Sequence, residues 1–202
     1  MLILENITVK YAEQTVIQKL DFCFENGKFY GLTGPSGIGK TTLFSVISQL
    51  IKPTSGKIRT DGEKIGYVFQ DARLFPWMTA LENIECVCED KSKAKFYLDL
   101  LLPDGAEKYP HELSGGMRQR VSIARALAYE CDILLLDEPF KGLDGKTKEI
   151  VIKTVLEFVR ERTAIMISHD TEELALCDEI YKMEASPVQK LSAVKSGNLQ
   201  TE

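Results

Sequence analysis

The stretch Gly34-Pro35-Ser36-Gly37-Ile38-Gly39-Lys40-Thr41-Thr42 constrains this chain more than any other. Before it, the Asn26-Gly27 turn signal opens a strand expected over Lys28 to Thr33. After it, apolar residues at Leu43, Phe44, Ile47, Leu50 and Ile51 follow a helical period that stops at Pro53-Thr54-Ser55-Gly56. A strand, a loop with the spacing G-x-x-x-x-G-K-T and a helix together make a phosphate-binding loop. Gly34, Gly37 and Gly39 keep Cβ atoms away, so successive N–H groups can turn inward onto a polyphosphate. One helix terminus contributes only ~0.3 to 2 kcal/mol toward an anion, so a triphosphate needs several amides acting with the Lys40 ammonium. Thr41 is placed to put its hydroxyl on Mg²⁺. Average residue usage produces this pattern by chance in about one chain of this length in a hundred, and the flanking elements lower that further.

Ile133 to Pro139, ILLLDEP, supplies what such a loop lacks. Leu134 to Leu136 is an apolar strand of the kind found at the centre of a parallel sheet, and ligands collect at the carboxyl ends of such strands. Asp137 can reach the metal there, while Glu138 is placed to polarise an attacking water. Leu113 to Arg120, LSGGMRQR, opens a helical run from Met117 to Tyr129. Ser114 is a good N-cap, and Gly115 and Gly116 stand where helix propensity prefers almost anything else. That makes a second helix start suited to phosphate, one more than a single nucleotide site needs.

The 202 residues allow one substantial core. Twenty-five basic against 30 acidic residues leave a net charge of -5, which gives little electrostatic reason to expect nucleic-acid binding. The five cysteines are scattered and lack metal-ligand spacing, so buried or idle thiols in a reducing cytosol are expected. The amino-terminal MLILENITVKY reaches Glu5 after three apolar residues and does not read as a secretory signal. No apolar run approaches the ~18 residues of a membrane span, so a membrane role would come through a partner.

Alternation over Ile3 to Val9 and Val16 to Phe24 predicts an antiparallel β start. Short strands are expected around Lys57 to Thr60 and Ile65 to Phe69, joined by Asp61-Gly62, and a helical pattern runs from Thr79 to Leu102. From about Asp71 to Arg118 the chain reads as a small helical lobe inserted into an α/β core made of residues 1–70 and 119–202. Beyond it, helix to Tyr129, strand Ile133 to Leu136, helix Lys146 to Arg162, strand Ala164 to Ser168, helix to Cys177 and strand Ile180 to Met183 alternate, which argues for a parallel sheet with crossover helices. The last ~15 residues are polar and carry no structural expectation.

LSGGMRQR, with GPSGIGKTT upstream and ILLLDEP downstream, resembles the ATP-binding-cassette ATPases, the nucleotide-hydrolysing subunits of ABC transporters; the similarity runs from Tyr11 to His169. The resemblance implies a single α/β P-loop domain with a mainly parallel sheet, an antiparallel β part and a helical lobe. It implies ATP and Mg²⁺ as cofactors. Gly34, Pro35, Ser36, Gly37, Gly39, Lys40, Thr41 and Thr42 would hold phosphate, and Tyr11 would stack on adenine. Thr41, Gln70 and Asp137 would serve the metal; Glu138, Gln70, His169 and Lys40 would carry hydrolysis. Ser114, Gly115 and Gly116 would bind the γ-phosphate of ATP held by a second copy, with Asp144 crossing the interface. The surplus phosphate site then belongs to the other copy's ATP, in a head-to-tail dimer.

Two departures from the family pattern stand out. Lys141 and Gly142 occupy positions where it more often has a small polar residue and alanine, and Gln70 and Ser114 are closer in sequence than in many relatives, which implies a shortened lobe. His111, just before LSGG, reads as structural. Arg73-Leu74-Phe75-Pro76-Trp77 reads either as a docking surface or as apolar residues buried within the lobe, and the run resembles importer ATPases of the nitrate, sulfonate and taurine class and related thiamine-precursor systems. The implied role is the ATPase subunit of an importer, peripheral on the cytoplasmic face of the membrane, with permease subunits as partners, a substrate-binding protein reached through them, and no nucleic acid. A cassette protein of DNA repair or cluster assembly would share the motifs but calls for a long coiled-coil insertion or a basic surface. A P-loop kinase or GTPase would keep Gly34 to Thr41 and has no use for LSGG.

Overall fold

Strands that are apolar at every position can be buried on both faces, and two of them organise the molecule. The structure, a computed structural model, describes residues 1–60 and 62–194. Asp61, half of the expected Asp61-Gly62 turn, and the tail from 195 on lie outside the described residues. The elements in chain order are β1 (Leu2–Tyr11), β2 (Gln14–Phe24), β3 (Phe29–Thr33), α1 (Lys40–Ile47), β4 (Ser55–Arg59), β5 (Ile65–Val68), α2 (Ala80–Glu85), α3 (Lys91–Leu101), a 3-10 turn (Pro110–Glu112), α4 (Gly115–Ala128), β6 (Ile133–Asp137), α5 (Gly145–Val159), β7 (Thr163–Ile167), α6 (Thr171–Leu174), β8 (Glu179–Met183) and β9 (Leu191–Val194). β6 and β7 are buried along their whole length. They sit inside a six-stranded sheet of order β5-β6-β7-β3-β8-β9, parallel except for β9.

Successive residues of these strands feed opposite layers, as the period of two requires. Leu134, Leu136, Ala164 and Met166 pack with Val121 and Leu127 of α4, Val151 and Val155 of α5, and Ile84 and Leu98 of the helical lobe. Ile133, Leu135, Ile165 and Ile167 face Leu43, Phe44 and Ile47 of α1 together with Leu4, Ile7 and Leu20 of the amino-terminal strands. Those strands form a second, antiparallel sheet of order β2-β1-β4. The Asn26-Gly27 turn therefore does not fold β3 back onto β2. It passes the chain from one sheet to the other, because Phe29, Tyr30, Gly31 and Leu32 are all buried and need a place between two strands.

The helical stretch expected from Thr79 to Leu102 is two helices. Thr79 and Glu82 form a reciprocal capping box at the start of α2, and the Asp90 side chain accepts the Ser92 and Lys93 amides to start α3. A second strong cap inside the stretch forces the break. The last ~15 residues also hold more than their polarity suggested: β9 pairs antiparallel with β8, from Ile180 opposite Val194 to Met183 opposite Leu191, and covers an edge that would otherwise be open. Among the described residues no helix is long and apolar enough to cross a membrane.

All five cysteines are free. Burial pushes the Cys131 thiol up to about 11 and the Cys177 thiol up to about 12, so neither supplies thiolate near neutrality. Iodoacetamide at pH 8 is expected to modify the exposed Cys23 and to spare Cys131 and Cys177 until the chain is unfolded, as read by peptide mass spectrometry. Modification of Cys177 at the rate of Cys23 would contradict the packing described.

Candidate active site

The strand order places the loops after β5, β6, β7 and β3 side by side at one edge of the sheet. They carry, in turn, Gln70, Asp137 with Glu138, His169, and Gly34 to Lys40. The loop after β3 needs its glycines for room as well as for shape. At Gly39, φ is +115°, and a Cβ there would lie 2.6 Å from Val16 Cγ1. Lys40 is only 7 % exposed, and its Nζ donates to the carbonyls of Gly34 at 2.6 Å and Pro35 at 2.9 Å. Burial lowers its pKa, with the carboxylates of Glu138 and Asp137 acting the other way. The ammonium is thus held at the loop by weak neutral acceptors, which a phosphate would displace.

Thr41 Oγ1 donates to Asp137 Oδ2 at 2.9 Å, and the Tyr67 hydroxyl donates to the same oxygen at 3.3 Å. Burial raises the pKa of Asp137, opposed by these two hydrogen bonds. Burial and then the charge of Asp137 push the Tyr67 phenol well up, so it remains a donor. Tyr67 is a residue the sequence reading missed. Its ring stacks on Phe69 with centroids 3.9 Å apart and meets Phe44 edge-on at 5.7 Å. It falls in the strand expected over Ile65 to Phe69, but nothing local pointed to a carboxylate 70 residues on. The adjacent hydroxyl and carboxylate form an all-oxygen pair, a donor set of the kind a hard cation such as Mg²⁺ takes.

Glu138 follows β6 with φ of +47°, and its N–H donates to Ile167 O at 3.0 Å. Left-handed backbone is uncommon for a side-chain-bearing residue, and here it turns the carboxylate out over the loop. Gln70 Nε2 donates to Glu138 Oε2 at 3.2 Å, and His169 Nε2 lies 3.6 Å from Oε1. The structure therefore gathers Gln70, Glu138 and His169 around one carboxylate, with Lys40, Thr41 and Asp137 beside it. Together with Ser36, Gly37, Gly39 and Thr42 they line a cavity of about 300 Å³.

His169 is braced from behind. Ser168 Oγ donates to Glu173 Oε2 at 2.6 Å and accepts from the Asp170 amide at 3.0 Å, while Lys148 Nζ reaches Asp170 at 3.1 Å and Glu173 at 2.6 Å. Ser168 and Glu173 are buried, so the backbone on either side of His169 is tied to α5. No local pattern announces this network, whose members come from α5, the end of β7 and α6.

Ser114, Gly115 and Gly116 do not line that cavity. They line an adjoining recess of about 570 Å³ with Asp144, and Gln70 and Lys141 border both. Ser114 caps α4 through its oxygen, which accepts the Met117 amide at 3.3 Å. The two glycines differ: a Cβ at Gly115 would meet nothing within 4 Å, whereas one at Gly116 would lie 2.9 Å from Gly142 O. Packing accounts for the second and leaves the first open to the recess. Asp144 caps α5, accepting the Thr147 amide at 3.2 Å. Tyr11 ends β1 half exposed and lies outside the cavity lining, and His111 stacks on Tyr109.

The Arg73 to Trp77 run is fixed underneath and bare on top. The fully buried Asn83 accepts the Phe75 amide at 2.7 Å and contacts the Phe75, Met78 and Thr79 carbonyls, while Arg125 donates to the carbonyls of Ala72 and Arg73. Trp77 is left 69 % exposed beside Phe75.

A parallel α/β sheet with a glycine-rich loop opening α1 and a carboxylate pair at the end of the adjoining central strand defines a P-loop nucleotide-binding protein. The family model described as ABC transporter matches residues 17–141. The aliphatic sulfonates import ATP-binding protein SsuB of Bacillus cereus is 38% identical over 97% of this chain and 86% of its own length. The nitrate import ATP-binding protein NrtD of Synechocystis is 39% identical over 88% of this chain and 74% of its own length. Among solved structures, the dimeric ABC transporter cassette MJ0796 superposes with a TM-score of 0.88 at 29% identity, covering 97% of this chain and 99% of that one. The same cassette in a post-hydrolysis state bound to ADP and Pi gives 0.87. The chain belongs to the ABC transporter family and is one of its ATP-hydrolysing subunits.

Proposed function

We propose that this chain is the ATP-binding and ATP-hydrolysing subunit of an importer, in which two copies close head to tail over two ATPs and drive substrate through separate membrane subunits. The observation that carries this reading is that Glu138 and His169 stand over the glycine-rich loop, while Ser114, Gly115 and Gly116 line an adjoining recess that reaches neither of them. In a head-to-tail pair each recess lies against the other copy's cavity.

The amides of residues 36 to 42 receive the phosphates, and Lys40 exchanges the carbonyls of Gly34 and Pro35 for phosphate oxygens. Tyr11 stacks on adenine. Thr41, Asp137 and Gln70 would hold Mg²⁺, which when bound neutralises charge on the β- and γ-phosphate oxygens. Glu138 takes the proton from a water whose oxygen attacks the γ-phosphorus; the bond to the β,γ-bridging oxygen breaks, and ADP and inorganic phosphate result. His169 and, from the other copy, Ser114, Gly115 and Gly116 hold the γ-phosphate, with Asp144 at the interface. Gln70 both contacts Glu138 and opens the lobe of residues 71–118, so it links the state of the nucleotide to that lobe.

Phase and partners follow from the same reading. The chain lies on the cytoplasmic face of the membrane, held there by permease subunits that dock on Phe75 and Trp77 and receive substrate from a binding protein; nucleic acid plays no part. The tagged chain, recovered from membranes of its host in mild detergent, is expected to carry an integral membrane protein and to lose it when Trp77→Glu is introduced. Recovery of the chain alone, from the soluble fraction only, would overturn the importer reading and leave the ATPase reading standing.

A further inference from the structure

Lys141 stands where the phosphate cavity and the recess of Ser114 and Gly115 meet, and it lines both. The turn after β6 brings it there: its amide donates to Glu138 O at 3.3 Å, which carries the side chain back over the carboxylate. Its Nζ lies 2.7 Å from Glu138 Oε2, the same oxygen that accepts from Gln70. One oxygen of the proposed water-activating carboxylate is thus occupied twice over. The Lys141 side chain is 66 % exposed, against 19 % for Glu138, so the ammonium sits at the end of a free four-carbon stem. Its hydrogen bond to Glu138, with the charges of Glu138, Asp137 and Asp71, keeps it protonated.

An exposed ion pair is weak because water screens it. A phosphate brings more negative charge than one carboxylate and also binds ammonium by charge-assisted hydrogen bonds. An anion in the cavity therefore competes successfully for Lys141, and the carboxylate is released when the ammonium leaves. Lys40 approaches the same cavity from its buried floor, held meanwhile by loop carbonyls. The two lysines differ in what holds them: Lys40 is held by neutral groups, Lys141 by the group that has to act.

We infer that Lys141 is a terminal-phosphate-binding residue which, before nucleotide arrives, clamps Glu138, so that ATP itself frees the carboxylate. ADP, lacking the terminal phosphate, leaves the clamp closed. This rests on Glu138 being the water-activating group.

The test compares AMP-PNP with ADP, each with Mg²⁺, by titration calorimetry on the full-length chain. Lys141→Ala is expected to weaken AMP-PNP about tenfold and ADP less than about twofold, while Lys141→Arg keeps AMP-PNP within about twofold of the parent. In addition, Glu138→Gln is expected to tighten AMP-PNP more in the parent than in Lys141→Ala, because the clamp is gone in the latter. Unchanged AMP-PNP affinity in Lys141→Ala, or equal losses for both nucleotides, would overturn the inference. Turnover of Glu138→Gln is measured alongside. If it persists, the assignment of Glu138 fails, while the nucleotide-selective loss at Lys141 is still decided by binding.

Discussion

Glu138→Gln is expected to cut ATP turnover by about 10²- to 10⁴-fold, the range by which a positioned general base contributes, while nucleotide binding persists. The change is close to isosteric and keeps the reach of the side chain, so the left-handed turn at this residue and its amide bond to Ile167 have no reason to change. What it removes is the carboxylate on which Gln70 and His169 converge. Phosphate release by the purified chain with ATP and Mg²⁺ checks it; turnover within tenfold of the parent would place the proton acceptor elsewhere.

Lys40→Ala acts one step earlier and is expected to weaken ATP binding by about 10²-fold or more. Hydrogen bonds involving a charged group are worth about 1.5–3 kcal/mol each, and the Lys40 ammonium already reaches two carbonyls from one position. Substitution removes the cavity's buried cation while Asp137 and Glu138 remain, so the field at the phosphates turns unfavourable as well. The variant also strands the buried Gly34 carbonyl, and some loss of thermal stability should accompany the loss of affinity. Titration calorimetry with ADP and with ATP reads the effect, and a change of less than fivefold would contradict the role given to this lysine.

The parts of the molecule that were legible in the sequence are those written in consecutive residues. Gly34 to Thr42 announces its own loop, and β6 and β7 announce a central position because every residue in them can be buried. Ser114 marks the start of α4 as an N-cap should. The rest depends on residues that meet only in space. Tyr67 and Asp137 are neighbours because β5 and β6 pair in register, and Lys148 braces His169 because α5 crosses behind β7. Gly116 lies against a carbonyl from Gly142, a contact between two turns far apart in sequence. Lys141 was visible only as a departure from the family pattern; its proximity to Glu138 comes from the turn after β6. The lobe misled for a local reason, since helical periodicity continues across Asp90 although Asp90 starts a new helix.

In the head-to-tail dimer proposed above, Gly34 to Thr42 and Ile133 to Pro139 hold one ATP while Leu113 to Arg120 closes on the ATP of another copy. Light scattering of Glu138→Gln at saturating ATP and Mg²⁺ tests this most directly, because the variant binds nucleotide and cannot dissipate it. The mass of two chains with ATP, falling to one chain without it, is the expected result. A single-chain mass with ATP bound would contradict the head-to-tail pair.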